Sequence, residues 1–600
     1  PIPRLVDVVP VSDRLSGRVD RIILSVHQNI LMSILDWIIL IVTLAGIILY
    51  GVWKSRGHKN IDGYFLGNQS MPWYIVLLSI IGTQASAVTF LSAPGQAYTD
   101  GMRFVQYYFG LPLAMVVLCI TFVPIFHRLK VYTAYEFLEQ RFDLKTRTLT
   151  AVLFLIQRAL STGISIYAPS IILSSLLGWN IYWTNVVMGG LLIIYTMSGG
   201  TKAVSYTQTL QLAIIFTGMF LAGWMVVHLL PDNISFNEAL HVSGKMDRLN
   251  VIVTSFDWQD KYNIWSGLIG GFFLALSYFG TDQSQVGRYL TAKSVTESRL
   301  GLLMNGLVKV PMQFLILLIG ALVFVFYMYF RSPIFFNQGQ LNKVYRTEYG
   351  TALKDLEQQY DQLSSTKQQQ VKVLAGALEG TDEGTIRNAQ DALRQTETAA
   401  EDLRVQARKL IKQADPAADD NDTNYIFLHF VVNNLPKGLV GLLIAIIFLA
   451  SWGSIAAALN SLASTTIVDV YKRMINKEDS EAHYLKVSRW WTLIWGIFCI
   501  MVAQFASELG SLIEAVNVLG SLFYGVILGI FMVAFYIKKL GGNATFWSAI
   551  VSEVLVITIY KMEIVSFLWL NVIGCALVVL LAFIIHIFTK KEDSSAATAP

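Results

Sequence analysis

The sequence predicts an all-α membrane protein, and three observations carry that prediction. Of its 600 residues 54% are apolar and only 14% charged, with a mean hydropathy of +0.52, a balance that excludes an ordinary soluble enzyme. Apolar stretches of roughly 18 or more residues, long enough to cross a bilayer, recur thirteen times. They lie near 33–54, 72–98, 104–127, 147–176, 181–198, 206–230, 264–287, 303–331, 428–468, 485–507, 511–537, 543–561 and 565–589. The ninth carries Phe448-Leu-Ala-Ser-Trp-Gly-Ser-Ile-Ala-Ala-Ala-Leu-Asn-Ser-Leu-Ala-Ser-Thr-Thr-Ile-Val-Asp-Val-Tyr-Lys472, a run too rich in hydroxyls and small residues to face lipid. At membrane depth such a surface packs on another helix or lines a wet cavity.

Residues 1–31 are polar and amphipathic, without a long apolar core or a small-residue cleavage site. They are expected to be an N-terminal extension, with Met32 as the natural start. The second span contains Ser79-Ile-Ile-Gly-Thr-Gln-Ala-Ser-Ala-Val-Thr-Phe-Leu-Ser-Ala-Pro-Gly95, where Gly82, Pro94 and Gly95 should weaken the helix beside several hydroxyls. A break there frees backbone carbonyls for a cation. The seventh span offers a similar break in Leu276-Ser-Tyr-Phe-Gly-Thr-Asp-Gln-Ser-Gln-Val-Gly-Arg-Tyr-Leu290. These interrupted spans open two consecutive five-span sets, 72–230 and 264–537. An odd repeat length inverts the second set relative to the first, so the two breaks should meet near the bilayer midplane. Residues 32–331 then hold the first span, the first repeat and the start of the second.

Residues 332–427 interrupt the apolar rhythm with a segment rich in Gln, Lys, Asp, Glu and Ala. Heptad spacing runs through Leu353, Leu356, Tyr360 and Leu363, then Ala389, Leu393, Thr396, Ala400, Leu403, Ala407 and Leu410. A helical insert outside the membrane is expected, leaving through a flexible 416–422. It would dock a protein partner, cap the mouth of the pathway, or be a tolerated loop insertion. Residues 428–590 complete the second repeat and add two C-terminal spans.

Positive charge fixes the orientation. Lys54, Arg56, Lys59, Arg128, Lys130, Arg141, Lys145, Arg147, Arg288, Lys293, Arg299, Lys472, Arg473, Lys477, Lys538, Lys539, Lys590 and Lys591 all fall on one side, which becomes the cytoplasm. The N-terminus is then outside, and 591–600 is a cytoplasmic tail. The net charge of +4 is this topological signal rather than a nucleic-acid patch. Cys119, Cys499 and Cys575 lie in apolar spans without metal-ligand spacing. No nucleotide-binding loop and no catalytic His, Cys or carboxylate cluster is present in the sequence, so an enzyme is not expected. The short tail leaves no room for a signalling module, so neither is a sensor.

Substrate should bind beside the breaks, where polar groups on the core helices face inward. Gln84, Ser86, Thr89, Tyr107, Tyr108, Tyr278, Lys309 and Asn517 qualify. A charge such as Lys309 costs about 2.5 to 3.5 kcal/mol in a span unless it meets a cavity or a partner. It would attract a carboxylate substrate, pair structurally or snorkel to the inner interface. Arg158 has the same functional and structural readings.

Five motifs are similar to those of the sodium/solute symporter family: Tyr64-Phe-Leu-Gly67, Thr133-Ala-Tyr-Glu-Phe-Leu138 with Arg141-Phe142, Gly199-Gly-Thr-Lys-Ala-Val204, Asp282-Gln283 with Arg288, and Leu459-Asn-Ser-Leu-Ala-Ser-Thr465. The chain resembles that family, which includes sodium/galactose, proline, monocarboxylate and multivitamin carriers, over 33–590 outside the insert. The resemblance implies a five-plus-five, leucine-transporter-type core with two broken helices, working by alternating access in a bacterial inner membrane. It also implies a sodium ion held by the carbonyls of Gly82, Ala85 and Ala450 and the hydroxyl of Ser454. Where the family has a second hydroxyl this chain has Gly453, and Ser451, on the same helix face as Ser454, would substitute. Where the family has an acidic residue this chain has Gln208, and with Ala456 and Ala457 in place an additional sodium site is not expected. Thr89, Tyr108 and Ala275 stand where sugar-carrying relatives have Gln, Glu and Asn, so a sugar would lose hydrogen bonds. The implied function is sodium-coupled symport of a small polar solute, a carboxylate-bearing one before a sugar. The competing readings are a sodium-independent facilitator and a sugar symporter of the same fold.

Overall fold

A computed structural model describes residues 32–55, 69–198, 201–416 and 418–596. The extension 1–31, the motif Tyr64–Gly67, Gly199 and Gly200, the charges Arg56 and Lys59, and the last four residues lie outside the described residues. Among the described residues the chain is helical throughout, without a strand. Ten helices are long and apolar enough to cross a membrane, and three shorter apolar helices accompany them.

The chain opens with α1 (Ile34–Ser55), then α2 (Trp73–Gln84) and α3 (Ala87–Asp100), which together form the second span. The break falls at Ala85 and Ser86, whose ψ angles of 86° and 175° leave the helical region. Neither Gly82 nor Pro94 nor Gly95 interrupts the helices, contrary to the sequence expectation. Each lies within a helix where another chain segment comes close. A Cβ on Gly82 would lie 3.0 Å from the Gln208 side chain, and one on Gly95 would lie 2.0 Å from the Thr423 carbonyl oxygen. A Cβ on Gly320 would come within 2.1 Å of the Pro94 carbonyl, so the proline turn is itself a packing surface.

A 3₁₀ segment, Gly101–Tyr108, leads into α4 (Leu111–Ile120) and α5 (Phe122–Leu129). Short α6 (Glu136–Arg141) precedes α7 (Leu144–Leu177), whose N-terminus Asp143 caps by accepting from Thr146 N–H at 2.9 Å. Then follow α8 (Ile181–Ser198), α9 (Thr201–His228) and surface α10 (Phe236–Lys245). The seventh span starts with a π turn, Ser266–Gly270, continues as α11 (Gly271–Thr281), breaks at Asp282 and resumes as α12 (Gln283–Tyr289). After it comes the 35-residue α13 (Val295–Tyr329).

The segment after α13 folds as α14 (Gln338–Val344), α15 (Gly350–Glu379) and α16 (Glu383–Ala414). The heptad residues Leu353, Tyr360, Ala400, Leu403 and Ala407 join Ile334, Phe335 and Ile411 in a separate apolar core. The chain leaving this hairpin is pinned rather than flexible at Asp422. That carboxylate accepts from Arg404 at 3.0 and 3.1 Å and from the Phe336 N–H at 2.7 Å.

The expected ninth span, 428–468, is two helices. Helix α17 (Thr423–Asn434) ends before Pro436, the chain turns at Gly438 (φ +91°), and α18 (Leu439–Thr465) begins. Positive φ suits glycine, and proline cannot continue a helix, so the sequence of the turn dictates the split. Asp36 of α1 caps α18 by accepting from Gly438 and Gly441 N–H at 2.6 and 3.0 Å. Helix α18 runs into a π segment, Thr466–Ile475, and α19 (Glu481–Ala503), α20 (Leu512–Tyr536), α21 (Gly542–Lys561) and α22 (Phe567–Ala596) follow. Nearly all of α18 is buried, packed on α7, α9, α1 and α19. Its small residues permit this, which answers the question of why that run is so poor in bulky side chains.

Candidate functional site

The break between α2 and α3 releases carbonyls on the side facing α18. In a continuous helix Ser86 N–H would reach Gly82; here it donates to Gln84 O at 3.1 Å, leaving Gly82 without that donor. Across from it, Ser454 Oγ donates to the carbonyls of Ala450 (2.9 Å) and Ser451 (3.2 Å), so its own lone pairs stay free. Ser451 Oγ is buried with no hydrogen-bond partner. Such an orphaned oxygen, with released carbonyls and an uncommitted hydroxyl acceptor, fits a small hard cation. Among the described residues no group of three His, Cys, Asp or Glu gathers. A cation here would be held by neutral oxygens.

Gln208 and Gln211 of α9 account for both departures in this region. Gln208 Oε1 accepts from Ser79 Oγ at 2.8 Å, while Nε2 donates to Thr83 Oγ1 at 3.2 Å and to the Gly453 carbonyl at 3.1 Å. A neutral amide thus ties α2 to α18. Gly453 is crowded chiefly by a neighbour of that amide: a Cβ there would sit 2.7 Å from Gln211 Oε1 and 3.2 Å from Gln208 Cγ. Restoring a hydroxyl by Gly453→Ser is therefore expected to destabilise by about 1–3 kcal/mol through overpacking. Thermal melts should show that loss, and adding Gln211→Ala should relieve most of it.

The second break is held by charge. Asp282 accepts from Arg158 of α7, from Tyr524 Oη of α20 at 2.8 Å, and from Ser284 N–H and Oγ at 2.8 and 2.6 Å. Arg158 Nη2 also donates to Tyr524 Oη at 3.1 Å, and its guanidinium lies 5.5 Å from the Tyr278 ring centroid. Of the two readings of Arg158, the structural pairing is what the geometry contains. Tyr278 accepts from Gln285 Nε2 at 2.7 Å and leans on Tyr524 at 5.8 Å.

Four of the expected substrate residues come together. Tyr107 donates to Asn517 Oδ1 at 3.1 Å, Tyr108 packs edge-on against Tyr107, and Lys309 Nζ sits 5.5 Å from the Tyr108 ring centroid. Lys309 is fully buried in α13 and its Nζ finds no hydrogen-bond acceptor, so it neither pairs structurally nor snorkels. Asn305 and Gln313, four residues to either side on the same face, also carry buried amide atoms without partners. Gln84, Ser86 and Thr89 stay at the other break, where Gln84 Oε1 lacks a partner. Sequence reasoning missed Ser79, Ser205, whose Oγ lies 3.0 Å from Ser79 Oγ, and Tyr524. A tyrosine among apolar neighbours on α20 was the available signal for the last.

The match to known proteins covers most of the chain. The family model described as sodium:solute symporter family fits residues 64–349 and 410–552. The unmatched 350–409 fall within the α15–α16 hairpin. The chain is 25% identical over 552 residues to a sodium/sialic acid symporter of Proteus mirabilis, covering 91% of this chain and 93% of that protein. It is 24% identical to the sodium-coupled monocarboxylate transporter 1 of Xenopus laevis, covering 80% of this chain and 64% of that one. A solved structure of a Na⁺-coupled sialic acid symporter, in a substrate-bound outward-open state, shares the fold with a TM-score of 0.71 at 23% identity, covering 93% and 98% of the two chains.

Proposed function

The chain belongs to the sodium:solute symporter family, and we propose that the solute it carries with sodium is a small carboxylate. It is an integral membrane protein working between a sodium ion, a small molecule and the lipid bilayer. One observation carries the carboxylate reading: Lys309, a basic side chain fully buried in the bundle interior, has the face of Tyr108 as its neighbour and no hydrogen-bond acceptor for its Nζ. A buried charge needs a counter-charge. A carboxylate brought by the substrate supplies it, with Tyr107 and Asn517 offering polar contacts beside it. Two similar proteins point the same way, since sialic acid and monocarboxylates share a carboxylate.

Sodium is assigned to the carbonyls of Gly82, Ala85 and Ala450 with the hydroxyls of Ser454 and Ser451, between the α2/α3 break and α18. The positive side of the loops is taken as cytoplasmic, with the N-terminus and the α14–α16 insert outside, in the inner membrane of a bacterial cell. For a neutral solute, one sodium ion yields roughly 2.3 kcal/mol per 100 mV and about 1.4 kcal/mol per tenfold gradient. A carboxylate changes that balance. With one sodium per monoanion no net charge crosses, the membrane potential drops out, and a tenfold sodium gradient concentrates the solute about tenfold.

A thermal-shift screen of the purified protein tests the reading, because a ligand that binds the folded state must stabilise it. Sialic acid, pyruvate and lactate should raise the melting temperature in sodium and not in potassium, while neutral sugars leave it unchanged. A sodium-independent shift would favour the facilitator, and a shift with galactose alone would favour the sugar symporter.

A further inference from the structure

Between the C-terminal turn of α12 and the last turns of α18 lies a small cavity, about 20 Å³. It is lined by Gln283, Gly287, Arg288, Ala457, Asn460, Ser461 and Ser464. Most of its polar lining is already committed. Gln283 donates to Tyr132 O at 2.8 Å and accepts from Ala134 N–H at 3.1 Å, and Ser461 and Ser464 donate back to the Ala458 and Ser461 carbonyls at 2.8 and 3.1 Å. Two side chains are not committed. Arg288 is only 3% exposed and its Nε and Nη1 find no acceptor; Asn460, also 3% exposed, has both amide atoms unpaired.

We propose that this cavity is an anion-binding site, separate from the Lys309 cluster, which takes a small monoanion on the Arg288 guanidinium and the Asn460 amide. The guanidinium cannot shed its proton, so the charge in the cavity is permanent and is costly without a counter-ion. Its planar fork matches the two oxygens of a carboxylate, and Asn460 Nδ2 adds a third donor from the facing helix. Arg288 differs in this from the other buried arginines: Arg147 pairs with Asp469 at 2.6 Å and Arg404 with Asp422 at 3.0 Å, whereas Arg288 has no carboxylate on it. The anion has two sources, the carboxylate of the transported solute as it leaves the centre, or free chloride.

The test is a thermal melt in the Lys309→Met background, which removes the central site's charge, at constant sodium with sulfate balancing ionic strength. Sodium acetate should raise the melting temperature saturably, on the order of 1–3 °C. Adding either Arg288→Gln or Asn460→Ala should abolish the shift, the second variant covering a failure of the first to fold. An equal Arg288-dependent shift with chloride identifies a free inorganic anion, and a shift with acetate alone identifies a carboxylate; both support the site. No shift in Lys309→Met, or one that survives both added substitutions, overturns it. If acetate stabilises the parent and not Lys309→Met, the central carboxylate reading stands and this one falls.

Discussion

Asp282→Asn is expected to destabilise the folded protein by about 3–5 kcal/mol, the cost of removing one partner from a buried ion pair. Asp282 is 1% exposed and collects Arg158, Tyr524 Oη and two donors from Ser284 at the gap between α11 and α12. Neutralising it leaves the Arg158 charge buried without compensation and weakens the cap of α12 together with the link to α20. A melt in detergent should therefore fall sharply. The double variant Asp282→Asn with Arg158→Leu should recover much of the loss, because the residual cost then comes from hydrogen bonds alone. Equal melting of Asp282→Asn and the parent would mean that the pair does not hold the break.

Lys309→Met should act in the opposite sense on stability. It exchanges an unpartnered buried amine for a thioether of similar length, so the protein without substrate should become more stable, by about 1–3 kcal/mol. Affinity for the carboxylate should drop. A hydrogen bond to a charged group contributes about 1.5–3 kcal/mol, which corresponds to roughly 10- to 150-fold in dissociation constant. Stabilisation combined with lost binding separates a ligand-facing lysine from a structural one, which would lose stability on truncation. Uptake assays alongside melts would show both.

The comparison of sequence with structure divides along physical lines. Spans, the existence of two breaks and the heptad pairing of the insert were legible because each rests on local periodicity. The exact site of the first break was not: glycine and proline near it signalled flexibility, while their use is close packing against Gln208, Thr423 and Gly320. Helix α17 was hidden because the sequence on both sides of Pro436 and Gly438 is apolar, and hydropathy does not see a turn. Tyr107, Asn517, Tyr108 and Lys309 could be nominated by polarity, yet their meeting joins residues up to 410 positions apart. Gln208 and Gly453 registered only as two separate departures. Their coupling through a single amide needs coordinates, since no spacing rule connects α9 to α18.

The central claim is that sodium drives a carboxylate through the site at Lys309. The measurement that tests it most directly is uptake into proteoliposomes of the carboxylate that stabilises the protein, under an inward sodium gradient and, separately, an equal potassium gradient. Accumulation above equilibrium in sodium alone, lost in Lys309→Met, is the predicted result. Equal uptake under both gradients that never exceeds equilibrium would contradict it.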